Sequence, residues 1–490
     1  MKTHRIPLLI LTLGLLAGLI LSAAAPAQAG GELPQRLDAL VQSFKQQAGI
    51  PGLALALIED GQVTLLKGYG TDSRGQAITP HSTLYLGSLS KSVTALALMR
   101  QWDQGKLDLD APVTAYLPDF RLADPAQSGQ ITVRMLLNQV SGICGQDDPD
   151  PNQTAPSLQA QVGRLRSLKL SSAPGAKYCY SNQNYMLLGA ILEKISGLPF
   201  GEALRQSVFE PLEMTNSGVS QAALPHYAPP FGQFLGLAYP LEQRHFPAGE
   251  ASGYTLSSIE DLTHYVRMLM DGGQYQGRTI LSPRAVELLW TPASGEKGDY
   301  AMGWIVRQVN GVKLVKHDGA IESYAANIAI LPERKTAVLF LANQNSLVQT
   351  FVTYPDLADQ TLNLVAGRDV RTPDARERVD EIGLSETNKQ TAFGVLRVLF
   401  ILDLLVNGLR LAFLKKTAAW ARRRPKALRF VWVALDLIFP LLGLALLAAL
   451  PILLQFGIMD LLKFMTDIIV WTFLSSTLGL ARGVGKLLIR

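Results

Sequence analysis

Apolar residues in this chain gather at its two ends, and that segregation limits its architecture more than any other feature. One apolar block covers residues 6–25, and three more follow at 392–414, 430–456 and 461–480. A water-soluble core does not absorb apolar runs of that length, so the ends and the middle obey different rules. The first block has the form of an export signal over residues 1–29: Lys2 and Arg5 precede Ile6–Leu21, and Ala27 and Ala29 offer small residues for cleavage. An uncleaved anchor is the alternative, and both send the following residues across a membrane. The three C-terminal blocks read as transmembrane helices at 392–414, 430–456 and 461–480. The first contains Arg397, Asp403 and Arg410, and its alternative is an amphipathic helix lying on the surface.

Charge supports this layout. The net charge of +5 suggests a nucleic-acid partner until its source is located. Lys415, Lys416, Arg422, Arg423, Arg424, Lys426 and Arg429 lie in one acid-free stretch, 415–429, and without them the chain is slightly acidic. A basic loop between apolar segments marks the cytoplasmic side. The expected location is therefore the cell membrane, multi-pass, with residues 30–367 on the extracytoplasmic side. Membrane lipid is an expected partner through the C-terminal helices, and nucleic acid is not. The sequence leaves the oligomeric state open.

Residues 30–367 read as one globular unit. Gly52–Glu59 and Gln62–Gly70 are strand-like runs joined by Asp60-Gly61, a two-residue hairpin signal. Later, Trp304–Val309 and Val312–His317 flank Asn310-Gly311, and Ala325–Leu331 and Lys335–Leu341 flank Pro332-Glu333-Arg334. The intervening pattern is mostly helical, as in Val93–Trp102, Tyr185–Ile195 and Ile259–Met270. Early and late strands around a helical middle predict an α+β fold, with an antiparallel sheet closed by both chain ends and a helical subdomain. A charged linker, 368–391, leads to the C-terminal bundle of about three transmembrane helices. The only cysteines, Cys144 and Cys179, either form a disulfide worth about 3–4 kcal/mol or remain two buried thiols.

Three short motifs carry candidate chemistry. Ser88-Leu89-Ser90-Lys91 follows an extended stretch and opens a helix, so Lys91 lies on the face of Ser88 one turn away. A desolvated lysine loses its proton more readily, and its neutral amine can take the serine proton. A second Ser-x-x-Lys, Ser294 to Lys297, sits in a polar loop and reads as chance. Tyr180-Ser181-Asn182 offers a phenol for proton transfer and an amide for orienting substrate; a buried aromatic and a capping Asn182 are the alternative. His317-Asp318-Gly319 ends a predicted strand and offers a cationic or hydrogen-bonding side chain and backbone N–H groups. A Ser-His-Asp triad using His317 and Asp318 is not expected, because neighbouring strand residues point to opposite faces. No cofactor or metal is expected: no zinc-type histidine cluster or phosphate loop appears.

The order of these motifs resembles the serine β-lactamase and D,D-peptidase superfamily, within it the class C β-lactamase branch, over residues 35–365. The likeness rests on LYLGSLSKSVTALALM around Ser88, ITVRMLLNQVSGI from Ile131 and APGAKYCYSNQNYMLLGAILEKISG from Ala173. YAMGW from Tyr300 and KHDGAIESYAANIAILP from Lys316 complete it. The resemblance implies Ser88 as nucleophile, Lys91 as base and Tyr180 as proton relay. It also implies substrate contacts from Asn182, His317 and Gly319, with the backbone N–H groups of Ser88 and Ala320 as oxyanion hole. Gln139 stands where many relatives have histidine, and Glu322-Ser323 replaces a small, glycine-containing turn.

The whole-chain layout is similar to membrane-bound peptidases that mature nonribosomal-peptide prodrugs, the colibactin-maturing type being one. The function implied is cleavage of an amide bond, in a small peptide containing a D-amino acid, through a Ser88 acyl-enzyme. An esterase or β-lactamase on the same site, or a penicillin-binding receptor that acylates without turnover, are the alternatives.

Overall fold

The computed structural model describes residues 32–144, 155–234, 236–293, 298–309, 311–346, 349–367, 386–413, 433–445 and 466–488. The expected export signal, the basic stretch 415–429, most of the linker and Ser294–Lys297 lie outside them. Thirteen strands are described: β1 (Gly52–Glu59), β2 (Gln62–Gly70), β3 (Thr83–Tyr85), β4 (Phe231–Phe234), β5 (Leu237–Pro240), β6 (Leu256–Ser258), β7 (Gln274–Tyr275), β8 (Arg278–Thr279), β9 (Tyr300–Ala301), β10 (Trp304–Val309), β11 (Val312–Ile321), β12 (Tyr324–Leu331) and β13 (Thr336–Ala342). The main helices are α1 (Leu33–Ala48), α2 (Ser90–Asp103), α3 (Asn182–Ser196), α4 (Ile259–Met270) and α5 (Tyr354–Ala366). Three more follow: α6 (Glu386–Ala412), α7 (433–445) and α8 (Thr466–Leu488).

Seven strands form one antiparallel sheet in the order β2-β1-β13-β12-β11-β10-β9. The pairing of β1 with β13 brings the two ends of this unit together, Leu57 facing Val338. Strand β1 is an almost unbroken apolar run because both sheet faces are covered. Leu53, Leu55 and Leu57 face a core shared with α1 and α5, while Ala54, Ala56 and Ile58 face the larger core beneath the helical subdomain. Helix α1 presents Leu37, Val41, Phe44 and Ala48 to the first core, a stripe at helical spacing. Each of its larger side chains contributes about 2 kcal/mol by leaving water.

The expected hairpin turn is present: Asp60 and Gly61 have φ of 49° and 76°, which a two-residue turn between twisted strands requires. Strand β11 continues past His317 to Ile321, because pairing with β12 carries it through Asp318-Gly319, with Asp318 opposite Asn327. The sheet thus ends in an edge, residues 317–321, that β10 does not cover.

Among the described residues no helix is long and apolar enough to cross a membrane. The three C-terminal helices nevertheless pack with polar groups inward. Asp403 of α6 accepts from Asn407 Nδ2 at 2.8 Å, from Trp471 Nε1 of α8 at 3.2 Å and from Ser475 Oγ. Arg482 of α8 makes a forked pair with Asp436 of α7, at 3.0 and 3.1 Å, and donates to Asn407 Oδ1. Leu402, Leu405, Leu409, Ile438, Phe439 and Phe473 stand exposed on the outside.

Candidate active site

Ser88 sits in a single turn of 3₁₀ helix, Gly87–Leu89, immediately before α2. Strand β11 lies directly against this turn. Gly87 has a φ of 54°, and a Cβ on it would stand 2.4 Å from the Ala320 nitrogen; one on Gly319 would stand 1.9 Å from the Leu86 oxygen. Two glycines are needed for the turn and the strand to approach so closely. The backbone N–H groups of Ser88 and Ala320 belong to these two apposed segments.

Lys91 lies one turn further along and is fully buried. Its Nζ is 3.1 Å from Ser88 Oγ, 2.7 Å from Asn182 Oδ1 and 2.6 Å from the Ser252 carbonyl oxygen. Burial drives its pKa well below the ordinary 10.5. A neutral amine has two hydrogens and one lone pair. The Ser252 carbonyl and the Asn182 oxygen accept the hydrogens, which leaves the lone pair for the hydroxyl of Ser88.

Ser88 Oγ receives its second contact from the opposite wall. Tyr180 donates its O–H to Ser88 Oγ at 2.7 Å, and Lys91 Nζ stands 4.8 Å from the centre of its ring. Burial raises the Tyr180 pKa above the ordinary range, so the phenol keeps its proton and acts as a donor. The loop holding it is fastened on both sides. Ser181 caps α3 by accepting from Gln183 N, and its own N–H donates to Gln139 Oε1 at 3.0 Å. Gln139, in the left-handed region at a φ of 58°, also accepts from Asn184 Nδ2 at 2.5 Å, and its backbone oxygen accepts from Cys179 N at 2.9 Å. Cys179 is bonded to Cys144, with Cα atoms 5.2 Å apart, which settles the choice the sequence left open.

His317 lines the same cleft, as an uncharged group. Burial pushes its pKa down to about 4. Its Nδ1 is 2.6 Å from the Asp318 carbonyl oxygen, which only accepts, so Nδ1 carries the hydrogen. Nε2 then accepts from Tyr300 O–H at 3.2 Å. Asp318 points away, exposed, and receives Asn327 Nδ2 at 2.6 Å. Of the two options in the sequence, cationic or hydrogen-bonding, the geometry holds the second.

Ser88, Tyr178, Tyr180, Tyr300, His317 and the 318–320 edge of β11 line a cleft of about 310 Å³. Asn182 is exposed at its margin, while Glu322 is buried, accepting from Gln243 Nε2 and Tyr254 O–H at 3.0 Å each. Sequence reasoning missed Ser252 and Tyr300 as partners. A backbone carbonyl leaves no signal in side-chain identity; Tyr300 lay in a recognised motif, but nothing local linked it to His317.

An antiparallel sheet with an open edge, a serine at that edge, and a buried amine and a phenol on the serine oxygen are the arrangement that serine hydrolases use. The chain belongs to the beta-lactamase family, which it matches over residues 37–363, and so to the serine β-lactamase and D,D-peptidase superfamily. It is 27% identical over 324 residues to protein flp of Staphylococcus aureus, covering 64% of this chain and 63% of that protein. It is 26% identical over 341 residues to the unguisins hydrolase ungD' of Aspergillus campestris, covering 64% of this chain and 62% of that protein. The chain thus spans less than two thirds of the length of these relatives. The solved octameric penicillin-binding protein homologue from Pyrococcus abyssi is similar with a TM-score of 0.60 and 27% identity, covering 70% of this chain and 80% of that one.

Proposed function

We propose that this chain is a membrane-anchored serine hydrolase that cleaves an amide bond in a peptide-like substrate, one containing a D-amino acid, through an acyl-enzyme on Ser88. The observation carrying the chemistry is the fully buried Lys91 amine 3.1 Å from Ser88 Oγ, with the Tyr180 hydroxyl 2.7 Å away on the other side. Substrate lies along the uncovered edge of β11, contacted by Asn182, His317 and Gly319. Ser88 Oγ attacks the carbonyl carbon as its proton passes to Lys91 Nζ. The developing oxyanion is held by the backbone N–H groups of Ser88 and Ala320. The proton then reaches the departing nitrogen through Tyr180 as the C–N bond breaks, leaving the acyl group on Ser88. Water, deprotonated by the same amine, cleaves that ester and restores the site. The Aspergillus relative, a hydrolase by name, favours turnover over a receptor that only acylates.

Membrane anchoring is supported by the C-terminal helices, which turn apolar side chains outward and pair Asp403, Asp436 and Arg482 inward. That is the reverse of a water-soluble bundle. The apolar run 430–456 also extends beyond the described bounds of α7 on both sides.

The test is the intact mass of the full-length chain in detergent after exposure to a fluorophosphonate and, separately, to a penicillin, beside Ser88→Ala. One adduct, absent from Ser88→Ala, is expected, together with turnover of N-acyl-D-aminoacyl amides faster than of the matching esters or β-lactams. A folded chain that forms no adduct ends the proposal, and a stable penicillin adduct without amide turnover transfers it to the receptor alternative.

A further inference from the structure

Among described residues 32–367, three large apolar side chains stand exposed: Tyr178, which lines the cleft, and Leu237 and Phe351, which do not line it. Leu237 is 56% exposed and opens β5 at the tip of the β4–β5 hairpin. Directly opposite it in the hairpin register is Phe234. The Phe234 ring stands edge-on to Phe400 of α6 at 5.6 Å, and Phe400 meets Trp471 of α8 at 5.5 Å. The tip is therefore continuous, through aromatic contacts, with the helices whose outer faces carry Leu402, Leu405 and Leu409.

The hairpin base is fastened to the catalytic unit. Phe231 N donates to the Asn343 oxygen at 2.8 Å, and Ser346 Oγ donates to Gln233 Oε1 at 3.2 Å. Phe351, 72% exposed, lies on the segment just after Ser346, which Thr350 ties back to Asn345 at 3.0 Å. The two apolar side chains exposed outside the cleft thus occur on segments that are linked to each other, and one of those segments touches the C-terminal helices. A hairpin tip in water gains nothing from a large aliphatic side chain, whereas lipid removes it from water as a protein core does.

We propose that Leu237, at the loop end of β5, enters the interfacial layer of the bilayer that holds the C-terminal helices. This rests on the membrane reading above. The hairpin is then a second point of attachment beside the helices, and it limits the tilt of the catalytic unit over the lipid surface.

The native cysteines are bonded to each other, so one new thiol can be labelled selectively. Leu237→Cys and Phe473→Cys, each labelled with an environment-sensitive nitrobenzoxadiazole dye, would be reconstituted as full-length chains in phosphatidylcholine liposomes containing doxyl-lipid quenchers. Phe473→Cys reports on the outward face of α8. The expected result is blue-shifted emission and quenching at both positions, strongest at position 237 with the quencher near the headgroups. Quenching at 473 but not at 237 would overturn the hairpin attachment and leave the membrane reading intact. No quenching at either position would remove the membrane reading itself. Blue-shifted emission at 237 without lipid quenching would put the tip against protein, a second copy of the chain included, and would also overturn the proposal.

Discussion

In the proposed mechanism Lys91 and Tyr180 divide the work around Ser88 Oγ, because burial moves their pKa values in opposite directions. It discourages a charged amine and also discourages a charged phenolate, so the resting pair is a neutral base and a protonated donor. Acylation should therefore slow as pH falls and the lysine takes up a proton. Tyr180→Phe keeps the ring beside Lys91 but removes the donor, and acylation by a fluorophosphonate or an amide should slow by about 10²–10⁴-fold, with the circular-dichroism spectrum unchanged. His317 has a stability signature of its own. Its folded pKa of about 4 lies below the ordinary 6.5, so between those values the unfolded chain binds a proton that the folded chain refuses. Stability contributed by the neutral imidazole is complete above pH 6.5 and declines as pH falls toward 4. Urea titrations across that window should show a smaller acid-side loss for His317→Gln, which can still bond to Tyr300; an equal loss would mean that the imidazole is not the group titrating.

At the scale of elements, the site is a junction between one turn and one strand edge. The Gly87–Leu89 turn and β11 approach so closely that neither Gly87 nor Gly319 has room for a side chain. Gly319→Ala should push β11 away from Leu86, at a cost of about 1–3 kcal/mol. It should also separate the backbone N–H groups of Ser88 and Ala320, so acylation should fall more steeply than the melting temperature. Calorimetry and probe-labelling kinetics on the same sample decide this, and normal labelling in a merely destabilised variant would detach the oxyanion role from the junction. The opposite wall is built differently: Gln139, the Ser181 cap and the Cys144–Cys179 bridge fasten the Tyr180 loop from three directions. A disulfide closing a loop of that length stabilises by about 3–4 kcal/mol and keeps the phenol where the serine needs it.

Across the whole molecule, the catalytic unit and the C-terminal helices follow opposite packing rules. In the first, apolar side chains fill two cores on either side of the sheet. In the second, Arg482, Asp436, Asn407 and Asp403 face inward and leucines face out. Removing Arg482 takes its charged partner from the half-buried Asp436, at a cost of at most about 3–5 kcal/mol. Arg482→Met should lower the thermal transition of the helices in detergent while Ser88 labelling stays at its normal rate. Loss of both together would mean that the bundle also supports the catalytic unit.

The elements legible in the sequence were those whose cause is local. Asp60-Gly61 between two strand-like runs set the β1–β2 hairpin at its observed bounds, and Ile259–Met270 showed its apolar face within its own residues. Ser88 and Lys91 were legible for the same reason, since three residues along a helix bring two side chains together. The extension of β11 through Asp318-Gly319 was not, because pairing with β12 overrides a local break. Nor was the lysine's third contact: the Ser252 carbonyl is 161 residues away, and backbone oxygen has no residue identity to read. The uncharged state of His317 likewise came only from the folded chain, because burial and the Tyr300 hydroxyl act on it from distant parts of the sequence. Local chemistry determined which groups are present; the tertiary structure decided their protonation and orientation, because both depend on neighbours that only folding assembles.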